Sequence, residues 1–133
     1  MAHVVNQISV FLEQRVGTLA EFCEVLREAG VDMRALSLAE STDFGVARVI
    51  VDKLEVAQEA LKKSGRIFSI TPVVAVEIKD EAGALYKLLE VLKKANINLK
   101  YCYAVTTSLD GKAYMMIRVS RAEIDKTLEL LNQ

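Results

Sequence analysis

Two short stretches carry the groups with which this chain could do chemistry: Arg15, Val16, Gly17, Thr18 and Leu19 in the first, and Glu81, Ala82, Gly83, Ala84 and Leu85 in the second. In each, a glycine stands between a β-rich run and apolar residues at helical spacing. Glycine lets the backbone turn sharply, and the first amides of the helix that follows, at Gly17, Thr18 and Leu19, have no partner inside that helix. A helix start of this kind seats a carboxylate, and a neighbouring carboxylate or carbonyl can hold an ammonium. The chemistry open to these turns is therefore the binding of a small charged group, a carboxylate above all. Arg15 favours the first stretch for an acidic group, whereas Glu81 at the corresponding position repels one. Asp32 and Asn98, at equivalent positions just past each helix, are the other polar candidates. Turn formation alone accounts equally for these two residues and for the two glycines.

No catalytic centre is visible. His3 is the only histidine and stands next to the first residue, a poor place for a general base or a metal ligand. Asp43, Phe44 and Gly45 spell a kinase-like tripeptide, but no glycine-rich phosphate loop or catalytic loop accompanies it, and turn chemistry suffices. An acylphosphatase would want a phosphate loop with an arginine and a positioned asparagine, and none is present. The neighbouring carboxylates Asp80 and Glu81 have no partner acid, base or nucleophile and read as solvated. Cys23 and Cys102 lie inside periodic elements and form no CxxC, so they read as core or near-core residues and not as a disulfide or metal pair. Tyr101 and Tyr103 share one face of a strand and suit packing or an interface better than base stacking. Neither a cofactor nor a metal is expected, and the chain reads as a non-enzyme.

Composition agrees with a binding module. The chain has 133 residues, 52% hydrophobic and 26% charged, enough to bury a core, and that balance argues against disorder. A formal net charge of −1 gives no electrostatic reason to expect nucleic acid. No apolar segment nears the roughly 20 residues of a membrane span, and the first residues lack the pattern of a secretion signal, which places the chain in the cytoplasm.

The elements that must position the two turns repeat. A strand over residues 4–12, with Ile8, Val10 and Leu12 on one face, leads through Gly17 to a helix over 18–29 carrying Leu19, Phe22, Cys23, Leu26 and Ala29 on one stripe. Thr18 and Glu21 have capping-box spacing, and Gly30 suits the helix stop. Strands over 33–41 and 46–51 follow, joined by a turn at 41–45. A helix opens at Asp52 with Glu55 three residues on, its apolar side formed by Val56, Ala57, Ala60 and Leu61. A strand over 66–71 closes the set, ended by Pro72. From Val73 the order begins again: a strand to Lys79, a turn through Gly83, and a helix over 84–95 with Leu85, Leu88, Leu89, Leu92 and Ala95 on its stripe. Strands over 98–107 and 112–119 come next, joined at Leu109, Asp110 and Gly111, and Ser120 with Glu123 caps a last helix.

Gly17 and Gly83 are 66 residues apart, and at that offset Val10 matches Val76, Leu19 matches Leu85, Leu26 matches Leu92, Gly45 matches Gly111 and Ala47 matches Ala113. An internal repeat of this kind decides the architecture. The expectation is an α+β fold of two ferredoxin-like βαββαβ repeats packed side by side, 1–72 and 73–133. The second repeat has no residues left for its last strand, so that edge stays open, is covered by the chain near 66–71, or accepts a strand from another subunit.

These residues resemble the ACT domain: an apolar strand, a turn with Gly17, an amphipathic helix, then Gly30, Val31, Asp32 and Met33, echoed by Gly83 and by Asn96, Ile97, Asn98 and Leu99. The run from Ala35 to Arg48 resembles the first-repeat hairpin of a small tandem group with two ACT domains. The resemblance implies a non-catalytic regulatory module whose ACT units pair, often edge to edge, and a homodimer. It implies a free amino acid bound where the turn of one unit faces another, by Arg15 to Leu19 and Asp32 in the first copy and by Ala82 to Leu85 and Asn98 in the second. It also implies a partner enzyme of amino-acid metabolism. The alternative is a constitutive interaction module that uses the open sheet edge and needs no ligand. The family often places proline before the turn glycine, where this chain has Val16 and Ala82.

Overall fold

Ile8, Val10 and Leu12 alternate along a strand and are buried, as the period-two pattern requires. They belong to β1 (Ala2–Glu13), and the computed structural model, which describes residues 1–40, 43–107 and 112–133, continues with α1 (Thr18–Glu28), β2 (Met33–Glu40), β3 (Phe44–Val51), α2 (Leu54–Lys63), β4 (Phe68–Lys79), α3 (Ala84–Lys94), β5 (Tyr101–Thr107), β6 (Lys112–Arg118) and, after a 3₁₀ turn at Arg121–Glu123, α4 (Ile124–Leu131). The fold is α+β and built from two βαββαβ units. One comprises Asn6–Thr71, and the other comprises Pro72–Gln133 together with Met1–Val5.

In the unit Asn6–Thr71 the strands run β2-β3-β1, all antiparallel. The Phe11 amide donates to the carbonyl of Ile67 at 3.0 Å, so the chain leading into β4 flanks β1 and completes the four strands. Phe22 and Leu26 of α1 and Ala57 and Leu61 of α2 cover one sheet face around Ile8, Val10, Ala47 and Val49. The second unit repeats this with β5-β6-β4, where Leu88 and Leu92 of α3 pack on Val74, Val76, Met115 and Ile117.

The edge that lacks a last strand is neither open nor covered by residues 66–71. Met1–Val5 occupies it. The Glu77 amide donates to the Met1 carbonyl at 3.3 Å, Asn132 clamps Ala2 through two bonds of 2.7 and 3.0 Å, and Ala2 is buried in the second core. The first residues of the chain thus supply the strand that follows α4 in the pattern, and the edge on which a ligand-free interaction module would rely is filled.

Other differences have local causes. Pro72 does not end a strand: β4 runs through it, because proline's fixed φ fits extended backbone and only its missing donor is lost. Thr18 is the first helical residue and not the cap. Gly17 takes the cap position at φ 90°, the Thr18 hydroxyl donates to the Arg15 carbonyl at 3.4 Å, and Glu21 turns to Arg15. Lys53 and not Asp52 precedes α2, and the Asp52 carboxylate instead accepts the Asp32 amide at 2.9 Å. Ser120 and Glu123 do meet, side chain to side chain at 3.0 Å, ahead of the 3₁₀ turn. Val56 and Leu85 are substantially exposed on their helices, and Cys102 is exposed on β5 while Cys23 packs at the rim of the first core.

The repeat also shifts by two residues in its third strand. Ala47 lies opposite Val10, but the residue opposite Val76 is Met115 and not Ala113, and Ala113 stands where Gly45 stands, opposite Ile78 in place of Leu12. A slip of two preserves the buried face, which a slip of one would invert. The expected turn residues Ser41, Thr42, Leu109, Asp110 and Gly111 lie outside the described residues, and with them the Gly45 to Gly111 match.

Candidate functional site

Gly17 and Gly83 adopt nearly the same left-handed conformation, with φ 90° and ψ −4° against φ 87° and ψ −9°. Each bends the chain from a strand into a helix. The first i−4 bonds are Glu21 amide to Gly17 carbonyl, 3.0 Å, and Lys87 amide to Gly83 carbonyl, 3.1 Å, so α-helix geometry leaves the amides of Leu19 and Ala20, and of Leu85 and Tyr86, without a partner in the helix.

Around the first turn Arg15 bridges two carboxylates. Its guanidinium donates to both carboxylate oxygens of Glu21, at 3.2 and 2.8 Å, and to Glu13 at 3.2 Å. The hydrogen bond to Glu21 raises the arginine's pKa, with that to Glu13 next, and the same bond from Arg15 holds the Glu21 carboxyl below the usual carboxylate range. Val16 is 99% exposed at the crest of the turn, Thr18 is buried beneath it, and Leu19 packs against the core.

Beside this turn lies a cleft of about 240 Å³, lined by Leu12, Glu13, Gln14, Thr18, Leu19, Leu38, Glu40 and Gly45. Strand register explains it. Leu12, Gly45 and Glu40 form one row across β1, β3 and β2, and the missing side chain of Gly45 leaves a notch between the other two. A Cβ there would come within 3.4 Å of the Ala39 carbonyl. Gln14 spans the cleft mouth, donating to Glu40 at 3.3 Å and to the Phe44 carbonyl at 3.4 Å. The cleft thus sets two carboxylates and an apolar wall against the start of α1. Glu40 and Gly45 are not signalled by the sequence, because only the pairing of β3 with both β1 and β2 brings them beside Leu12 and Glu13, and Glu13 itself reads there as a turn residue.

Asp32 is not at this turn. It follows the far end of α1, roughly 16 Å along the helix at about 1.5 Å per residue. There it pairs with Arg34 at 3.4 Å beside a broad surface depression that Cys23 and Arg27 also line. Asn98 stands equivalently beyond α3 and is exposed.

Around the second turn Ala82, Gly83 and Leu85 are exposed, and Ala84 lines a hollow of about 350 Å³ under the start of α3 together with Val76, Ile78, Lys79, Glu81, Lys87, Leu88 and Leu131. Of the charged residues at this turn the sequence singles out Asp80 and Glu81, and Lys79 and Lys87 beside them escape notice. Among the other candidates, His3 is exposed, Phe44 packs tilted against Phe11 with ring centres 5.6 Å apart, and no group of metal-ligating side chains occurs among the described residues. No helix among the described residues is long and apolar enough to cross a membrane.

The chain is matched over residues 3–133 by the model of a family described as the ACT domain pair. A solved structure of a protein from Bacteroides thetaiotaomicron is 36% identical with a TM-score of 0.89, covering 98% of this chain and 88% of that one. The ligand-free regulatory subunit of aspartate kinase from Thermus thermophilus has a TM-score of 0.70 at 15% identity, covering 98% of this chain and 96% of that one. The corresponding subunit from Thermus flavus has a TM-score of 0.68 at 15% identity, with coverages of 99% and 95%. At that identity the last two share the fold. No curated protein matches the chain.

Proposed function

The chain belongs to the ACT domain family as a pair of such domains, and from that premise we propose that it is a non-catalytic regulatory module that binds a free amino acid beside its strand-to-helix turns and passes that binding to its self-association or to a partner enzyme of amino-acid metabolism. The observation that carries the reading is the cleft beside Gly17. Its carboxylates, Glu13 and Glu40, suit an α-ammonium, the open amides at the start of α1 suit an α-carboxylate, and Leu12, Leu19 and Leu38 wall the space for a side chain. Arg15 serves this site by holding Glu13 and Glu21 in place with three of its five N–H donors, and the other two remain for an anionic group. Asp32 cannot reach a ligand at the turn of its own unit. A homodimer resolves this, with the ACT unit of a second copy facing the turn and presenting its Asp32, and Asn98 doing the same at the turn of Ala82, Gly83, Ala84 and Leu85. That ACT pairs of this fold serve as regulatory subunits of aspartate kinase in two Thermus species supports the regulatory reading.

A thermal-shift screen against the common amino acids tests it. A ligand at about 100 times its dissociation constant adds roughly 2.7 kcal/mol and moves the melting temperature by several degrees. Gly45→Val, which fills the notch, abolishes the shift for a ligand of the first cleft. If no amino acid at millimolar concentration moves the melting temperature, the reading fails.

A further inference from the structure

We propose that the second unit holds an amino acid with an apolar side chain in the hollow under the start of α3, with Glu81 meeting the α-ammonium and Lys87, assisted by Lys79, meeting the α-carboxylate. The proposal rests on the amino-acid reading above and adds to it a place and a class of ligand. It comes from setting the two repeats side by side. The first turn carries Glu13, Arg15 and Glu21, and the second carries Lys79, Glu81 and Lys87 at the same three positions, so every charge is inverted.

In the first repeat the three are locked together, Arg15 bonding both carboxylates, and Phe22 fills the space below with no exposure at all. In the second, neither an ion pair nor a side-chain hydrogen bond joins Lys79, Glu81 and Lys87 to one another or to any other described residue. The backbone is the same, since the turn glycines agree within a few degrees and the Ala84 amide reaches the Glu81 carbonyl at 3.3 Å where Thr18 reaches Arg15 at 3.5 Å. Positions that touch at 2.8 Å in one repeat are therefore held apart over an opening in the other. Leu88 replaces Phe22, and the smaller side chain leaves the hollow of about 350 Å³, a size within the usual range for small-ligand sites.

Its floor is Val76, Ile78, Leu88 and Leu131, with no polar side chain among them. An acidic or basic ligand side chain would lose its hydration there without a partner, whereas a branched aliphatic one gains by burial. Glu77 also borders the hollow, but its carboxylate is paired with Lys112 at 3.0 Å, so the charges left for a guest are the Glu81 anion and the Lys79 and Lys87 cations, which fits a zwitterion whose carboxylate is the more heavily bonded end. The first repeat satisfies its triad internally, and the second leaves it for a guest.

The test is titration calorimetry and thermal shift on the full chain, with L-leucine and L-valine as probes and L-aspartate, L-lysine, 4-methylpentanoate and 3-methylbutylamine as controls. L-leucine or L-valine raises the melting temperature, while each single-charge analogue binds about tenfold or more weakly, having lost one charge-assisted contact. Glu81→Gln and Lys87→Gln, both on the surface, weaken L-leucine by a similar factor. Leu88→Phe closes the hollow and removes binding. L-leucine binding untouched by all three variants but lost in Gly45→Val overturns this site and leaves the regulatory reading standing. A shift by L-aspartate or L-lysine alone overturns the apolar class. No shift by any amino acid overturns both.

Discussion

At Glu21 the pairing with Arg15 has a sign that can be worked out. The bidentate bond favours the ionised carboxylate, so the folded pKa lies below the unfolded one. A group depressed in this way contributes stability that is complete above the unfolded value and is lost as pH falls through the folded one. Wild type and Glu21→Gln should therefore differ by a constant margin in melting temperature through neutral pH, and the margin should shrink as pH drops below the ordinary carboxylate range. A margin unchanged at acid pH means that the ion pair adds nothing. Residue-scale features were unevenly legible. Gly17 and Gly83 stood out because a left-handed turn is a local demand on one backbone position. The Arg15 to Glu21 pair did not, because its spacing of six across a turn follows no helical or strand rule. The capping box at Thr18 and Glu21 was misread for the same reason: glycine at the cap moved Thr18 into the helix and freed Glu21 for the arginine.

Among the elements, the first strand has the most demanding position. Its initial residues close the second unit, and Asn132, just past α4, fastens them by donating to the Ala2 carbonyl and accepting the Ala2 amide. Asn132→Ala breaks both bonds while leaving Ala2 buried, and at about 0.5–1.5 kcal/mol for each bond it should cost roughly 1–3 kcal/mol in urea denaturation. Backbone hydrogen exchange should quicken first at Glu77, whose amide bonds Met1, and a variant as stable as wild type would show that the clamp is idle. Alternating Ile8, Val10 and Leu12 and the helical stripes were readable, because periodicity reports one buried face directly. Which strand lies beside β4 was not, because Met1 and Glu77 are brought together by the completed sheet and by no local signal. The two-residue slip of β6 was hidden likewise: it keeps the same face inward, so the pattern of apolar residues looks unchanged.

At the scale of the molecule, duplication produced two units that are not equivalent in sequence order. Residues 6–71 contain every strand and helix of their own βαββαβ set, whereas residues 72–133 hold only β4 to α4 and take their remaining strand from Met1–Val5. Had each half been self-sufficient, cutting after Thr71 would yield two folding fragments. Fragment 6–71 should instead melt cooperatively by circular dichroism, while fragment 72–133 should expose the Glu77 edge and the hydrophobic floor that Ala2 covers, and aggregate or remain loosely packed. Joining residues 1–5 through a short flexible linker after Gln133 restores the strand in the order of the first repeat, and this permuted second unit should then melt cooperatively. Asn132→Ala in the permuted chain weakens it again, which separates a specific clamp from a general benefit of added length. A fragment 72–133 that folds unaided would mean that the strand is dispensable, and the repeat would then be complete without it.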